Sequence, residues 1–585
     1  MSSNLFKNIN FLCSKKQKKL LILFSFLTFL STLLEMIGLS LIPVSVGTLL
    51  KVEEYNTYLP EIFFVQEFFK KDQIEQFMFL SFAIMLIFFI KNVFAFSIIY
   101  FEGKLFRDIK VDNANKLYET YVNLPIIEHY SYNVATILKN ISSESRYSAE
   151  YIFSISAIIR ELLLFVGLFI LIVFFNPIIA ISILLAGFLF SSLYLLVVKK
   201  KLLQETKNAE SIREYQIKNI NQVFSSLKET RILNTTKFFI KEFFEKTSSH
   251  ENSYFILNML NRIPKYVLEF SVVSGILILS IYLLKSGYEF GNLVPLLALV
   301  VVAAIRLLPS FNSITSSLTN LKRYEVSVKI IMNEIDKFKN IKKEDFENYN
   351  INKNNLIKFE DKLQIKNISF TFPNNKDELF KNCSIEIRKG EKIGIVGPSG
   401  SGKTTLLNII LGLLKPTSGK VLTDNDDIHS NLKDWHLKIG FIPQEIYLLD
   451  DTITKNVALG LANEQEDISK VEQALKYAEI YEFTKNLKEG LNTKVGDRGV
   501  RFSGGQRQRV GIARALYRNP SVLIFDEATS ALDEKTEKKF IENIFKLPED
   551  KTIILSTHKI EILGKCDRIY KVENNRLEIF KQKNY

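Results

Sequence analysis

Apolar windows of about 20 residues, the length needed to cross the hydrocarbon core of a bilayer, occur at 20–45, 77–101, 152–175, 178–198, 266–286 and 293–314. The connections FNPI (175–178) and KSGYEFGN (285–292) are very short. By contrast, polar stretches of roughly 50 and 65 residues separate the second span from the third and the fourth from the fifth, and both keep helical periodicity with few breakers. Six membrane helices with long helical extensions are therefore expected. Lys and Arg concentrate at the N-terminus (KKQKK) and in the long stretches (VVKKK), whereas 51–76 carries more acidic than basic residues. The positive-inside rule then puts both termini and both long connections in the cytoplasm.

After Arg323 the chain turns polar, and NEIDKFKNIKKEDFENYNINKNN reads as helix end and linker. From about residue 360 the period changes: short β-branched runs such as EKIGIV, KIGFIP and SVLIFD alternate with amphipathic helices, the pattern of a parallel α/β domain. The expected organisation is an all-α membrane domain over 1–325, a linker over 326–358 and an α/β domain over 359–585.

Composition agrees with a membrane protein. Of 585 residues 47% are hydrophobic and 47 are Phe, rich for a soluble chain. The net charge of +13 comes from lysines scattered over polar surfaces rather than from a basic patch, so no nucleic-acid partner is expected. Cys13, Cys383 and Cys566 stand far apart without CxxC spacing, which points to reduced thiols and not to a metal or redox site. KKQKKLLILFSFLTFL runs on into more apolar helix without a small-residue cleavage site, so it reads as the first span rather than a signal peptide.

The chemistry lies in the α/β part. Gly397, Pro398, Ser399, Gly400, Ser401, Gly402, Lys403, Thr404 and Thr405 follow the strand EKIGIV and open a helix, the setting of a phosphate-binding loop. The glycines let backbone N–H groups and the helix N-terminus face phosphate oxygens. Lys403 would reach the β- and γ-phosphates and the Thr404 hydroxyl would ligate Mg²⁺. In SVLIFDEATSALD (521–533) an apolar strand ends in two carboxylates: Asp526 to hold Mg²⁺, Glu527 to polarise the attacking water. Between these motifs, RFSGGQRQRVGIARAL (501–516) begins another helix with Ser-Gly-Gly, a second anion cradle. One nucleotide has no need of two cradles from one domain, so the second is expected to serve a nucleotide bound to another copy.

These residues, in this order, resemble ABC transporters: 360–585 is similar to their nucleotide-binding domain, and the six spans to the membrane domain of exporter-type half-transporters. The resemblance implies ATP and Mg²⁺ as cofactors. It makes Phe372 in SFTFP the aromatic that stacks on adenine and Gln444 in FIPQ the link between Mg²⁺, the attacking water and the membrane part. His558 in ILSTHK would touch the γ-phosphate, and Asp533 would lie on a dimer seam. Ser503, Gly504, Gly505 and Gln506 become the signature acting in trans, with Phe502 where the family usually has Leu. TKVGDRG (493–499) resembles the exporter segment that contacts intracellular loops, and short helices near His129–Thr136 and Asn221–Lys228 would dock on the nucleotide domains. A homodimer with two competent sites is implied, in a bacterial inner membrane with the ATPase domain cytoplasmic.

Basic residues inside the spans bear on the cargo. At 1.5 Å per residue, Arg306 lies roughly 20 Å along the sixth span from its outer end, and Lys91 reaches a similar depth in the second. Lys265 sits at the cytoplasmic entrance of the fifth. Together they suggest a positively lined inner cavity suited to a phosphate-bearing amphiphile. IRLLPSFN also resembles the sixth span of bacterial lipid-linked oligosaccharide flippases. Export of peptides, drugs or lipid-A-like lipids is a competing expectation, as is an ATP-gated channel or sensor, which an intact Glu527 disfavours.

Overall fold

The computed structural model describes residues 2–50, 72–175, 177–285, 290–345 and 357–582, apart from 374, 376, 463–464, 497–498 and 530–533. The chain forms two compact units, one of Met1–Leu124 with Tyr132–Phe338, the other of Pro125–Ser131 with Lys339–Tyr585.

The first unit is helical. Its long helices are α1 (Lys15–Leu49), α2 (Gln73–Val122), α3 (Ser145–Phe175), α4 (Pro177–Ser225), α5 (Thr236–Lys285) and α6 (Phe290–Asp345). Ser14 starts α1 through a capping box: its hydroxyl accepts from the Gln17 N–H while the Gln17 side chain accepts from the Ser14 N–H. Asp72 caps α2 by accepting from the Gln73 N–H. At 50 residues α2 runs about 75 Å, well beyond a hydrocarbon core, so the polar periodicity of 102–122 continues the spanning helix without a break. Among the described residues four helices are apolar and long enough to cross a membrane: Lys15–Leu49, Gln73–Val122, Val134–Phe174 and Val300–Lys339. The spans expected at 178–198 and 266–286 fall on α4 and α5, many of whose side chains there lie outside the described set.

Small residues set how closely these helices pack. A Cβ on Gly38 of α1 would meet Phe88 of α2 at 2.9 Å, and one on Gly167 of α3 would meet Thr32 and Met36 of α1 at 3.1–3.2 Å. Around this junction Leu39, Leu168, Ile172, Val300 and Ala303 form an apolar core shared by α1, α3 and α6. In the polar extensions the binding force is different. Arg323 donates to the Tyr254 hydroxyl at 2.6 Å, Arg213 donates to the Tyr147 hydroxyl, and Tyr147 stacks on Tyr324 at 5.3 Å, tying α3, α4, α5 and α6 together.

The second unit holds two sheets. β1 (Lys362–Phe370), β2 (Phe380–Arg388), β4 (Ser418–Thr423) and β5 (Asp426–Asp427) make an antiparallel sheet in the order β2-β1-β4-β5. The other, in the order β10-β9-β3-β8-β7-β6, comprises β3 (Lys392–Val396), β6 (Ile439–Ile442), β7 (Val522–Asp526), β8 (Thr552–Thr557), β9 (Arg568–Glu573) and β10 (Arg576–Gln582). β9, β3, β8, β7 and β6 are mutually parallel, and only the edge pair β9–β10 is antiparallel. β7 and β8 are buried at every position, as a sheet covered on both faces requires. The three runs EKIGIV, KIGFIP and SVLIFD are thus β3, β6 and β7 of one sheet. Helices α7 (Lys403–Ile410), α8 (Gly504–Tyr517) and α9 (Glu534–Phe545) follow in chain order.

Candidate functional site

The phosphate loop links β3 to α7 at the carboxyl end of the parallel strands, where open α/β sheets place ligands. Gly402 occupies the N-cap of α7 at φ +102°, a conformation only glycine adopts without strain, and contributes no side-chain cap. The first N–H groups of α7 therefore stay available to an anion. Gly397 lies so close to β9 that a Cβ there would be 2.6 Å from the Val572 carbonyl. Lys403 folds back into the loop, donating to the carbonyls of Gly397 (2.9 Å) and Pro398 (3.1 Å) and pairing with Glu527 at 3.3 Å. The ammonium is buried among acceptors that phosphate oxygens would replace.

β7 delivers the two carboxylates. Asp526 ends the strand in the buried interior, and Glu527 leaves it at φ +47°, its N–H donating to the Ser556 carbonyl of β8 at 3.0 Å. A non-glycine residue in the left-handed region is strained, and such strain concentrates at functional sites. The turn brings the Glu527 carboxylate to Lys403 and also to Gln444, whose Nε2 donates to it at 3.1 Å. Burial pushes the Asp526 carboxyl above its usual range; a hydrogen bond from Thr404 opposes this, and the neighbouring Glu527 charge adds to it.

The donor set fits a divalent cation bound with a nucleotide. Asp526 Oδ1 and Ser401 Oγ are buried with no hydrogen-bond partner among the described residues. Among those residues no cluster of three His, Cys, Asp or Glu side chains could hold a metal ion by itself, and Mg²⁺ at nucleotide sites takes phosphate oxygens into its shell. Thr404 and Asp526 would hold it, with Gln444 beside them.

Other expected site residues are placed as follows. Phe372, just beyond β1, is part-exposed and meets Phe370 edge-on at 5.0 Å. His558, the first residue after β8, is exposed. Ser503 caps α8, its hydroxyl accepting from the Gln506 N–H and the Gln506 side chain accepting from the Ser503 N–H. Gly504 and Gly505 form the first turn. Among the described residues no hydrogen bond or ion pair joins these signature residues to the phosphate loop. Phe502 is buried in the core, edge-on to Phe483 at 5.7 Å. Asp533, like Asp497 and Arg498 of TKVGDRG, lies outside the described residues. Ile127, in the short helix Ile126–His129, packs against the apolar core of the second unit that also seats Phe372.

In the helical unit Lys91 and Arg306 come together, but on a carboxylate that the sequence reading passed over. Lys91 Nζ lies 3.2 Å from Glu35 Oε2, and Arg306 Nε lies 3.0 Å from Glu35 Oε1. Glu35 sits in STLLEMIGLS of the first span, and the signal that could have found it is the one that exposed Arg306: an ionisable residue in an apolar run. Lys265 is exposed instead, over the ring of Tyr266 at 5.8 Å.

Residues 380–530 match the family model described as ABC transporter. An ATP-dependent lipid A-core flippase from Cupriavidus pinatubonensis is 38% identical over 217 residues, which is 37% of this chain and 37% of that protein. A leukotoxin translocation ATP-binding protein from Mannheimia haemolytica is 40% identical over 37% of this chain and 30% of its own length. The matches thus span only about a third of the length of these relatives. A solved bacterial Atm1-family ABC exporter with ATP bound superposes on 96% of this chain and 94% of its own, with a TM-score of 0.74 at 20% identity. The chain therefore has the fold of that exporter, a helical region followed by a sheet-containing domain within which residues 380–530 match ABC transporters.

Proposed function

We propose, starting from an ABC-type ATPase domain joined to an exporter-type helical region, that this chain works as a homodimer that hydrolyses ATP to flip an anionic, lipid-linked amphiphile across the membrane. The observation that carries the ATPase reading is the convergence of Lys403, Gln444 and Glu527 over the phosphate loop, with Thr404 on Asp526 beside them. Lys403 would leave the loop carbonyls for the phosphates. Glu527, released from Lys403, would orient and deprotonate water, and His558 would reach the γ-phosphate. Mg²⁺ supplies charge neutralisation at the phosphates. Phe372 would stack on the adenine, and Ser503, Gly504, Gly505 and Gln506, together with Asp533, would close over the partner copy's nucleotide.

The cargo reading is supported by Lys91 and Arg306 deep in the spans, where ionisable residues mark substrate pathways, and by the flippases among the relatives; Lys265 would join them at the cytoplasmic entrance. Movement would pass through Ile126–His129, counted with the ATPase unit, and through the extensions around Asn221–Lys228. Turnover and flipping in liposomes test both halves. Glu527→Gln is expected to lower ATP hydrolysis at least about a hundredfold, and near-normal turnover would sink the catalytic assignment. Arg306→Ala is expected to leave basal hydrolysis intact and abolish flipping of polyprenyl-diphosphate glycans; equal flipping would sink the cargo assignment.

A further inference from the structure

The two oxygens of Glu35 are divided between two helices: Lys91 of α2 takes one and Arg306 of α6 the other. Their accessibilities differ. The Glu35 and Lys91 side chains are 6% and 9% exposed, that of Arg306 39%. Glu35 Oε1 also accepts no aligned hydrogen bond, so charge alone holds the guanidinium against it. The N–H donors of Arg306, up to five, have no hydrogen-bonded partner among the described residues. Glu35 itself cannot retreat: one turn on, Gly38 locks α1 against Phe88, and one turn back, Thr32 abuts Gly167.

We propose that Glu35 is an internal counterion for which the cargo's anionic headgroup substitutes, so that Arg306 passes from the protein's carboxylate to the phosphate while Lys91 keeps Glu35 paired. This rests on the anionic-amphiphile reading above. The asymmetry of burial assigns the roles. Lys91 leaving Glu35 would strand a buried carboxylate, whereas Arg306 leaving it keeps the carboxylate paired with Lys91 and gives up only Oε1, which already accepts no hydrogen bond. A planar guanidinium held through its Nε by charge alone gains two aligned bonds on meeting a phosphate fork. A headgroup must therefore outcompete one carboxylate to bind, which favours a diphosphate over singly charged or neutral groups. Glu35 is thus a specificity-determining residue for the cargo.

The test uses the full chain in nanodiscs with ADP in excess to fill the phosphate loop, and geranylgeranyl diphosphate and the neutral geranylgeraniol as probes. Glu35→Gln is expected to tighten diphosphate binding at least roughly tenfold and to leave the alcohol unchanged. Glu35→Asp, which keeps the charge but withdraws it by one methylene, is expected to give a smaller tightening and covers the case where the Gln variant does not fold. Arg306→Ala should erase the diphosphate preference in each background. If the wild type prefers the diphosphate through Arg306 but neither Glu35 variant binds it more tightly, the counterion role is overturned and the cargo reading stands. If the wild type and both Glu35 variants bind the diphosphate no better than the alcohol, both fall.

Discussion

Glu527 combines three constraints in one residue: a left-handed backbone, a main-chain bond to β8, and a carboxylate shared by Lys403 and Gln444. The first two belong to the backbone, so Glu527→Gln should unfold within a degree or two of the wild type while losing turnover, as read by parallel calorimetry and phosphate release. The cysteines give a second outcome at this scale. All three are buried, and burial pushes the Cys566 thiol up to about 12, assisted by the Asp567 charge. A thiol with so high a pKa has a negligible thiolate fraction at pH 8. Maleimide at pH 8 should leave Cys566 unlabelled in the native protein and label it after denaturation. Lys403, Gln444 and Glu527, which the fold brings together, could be singled out in the sequence because each lies in a short local pattern at the end of a strand or the start of a helix. Glu35 was not, because its meaning depends on two partners 56 and 271 positions away, and only packing brings them together.

Close packing at Gly38 decides whether α1 and α2 approach near enough for Lys91 to reach Glu35. Gly38→Leu must push aside Phe88 and Ile87, whereas a Cβ on Gly103, also on α2, meets nothing within 4 Å. Overpacking costs about 1–3 kcal/mol, so Gly38→Leu should lower the unfolding temperature in nanodiscs while Gly103→Leu leaves it nearly unchanged. Equal shifts would remove the junction from the account. The existence of the long helices could be read from the apolar windows, and the β3, β6 and β7 strands from their β-branched runs. The polar periodicity announced the extensions, but not where each of them ends. The helices that cross the apolar windows run on, α2 to Val122 and α6 to Asp345, and α6 is held beyond the apolar zone by an arginine–tyrosine knot that no local period announces.

At the scale of the molecule, the proposed homodimer would set the Ser503 cradle of one copy over the Lys403 loop of the other. Lys403→Ala and Ser503→Arg are each expected to abolish hydrolysis alone. Mixed dimers retain one site with both features unaltered, so co-reconstitution should restore phosphate release; a silent mixture would require each chain to complete its own site. The division into compact units carries a further consequence. Pro125–Ser131 belongs to the second, sheet-containing unit although more than 200 residues of helical unit separate it in the chain. Cutting the polypeptide before Lys339 would therefore not release that unit whole: the fragment would display a bare apolar seat where Ile127 belongs. Its solubility alone would be a poor guide to its stability in the intact chain, and a peptide spanning 125–131 is the natural plug for the gap.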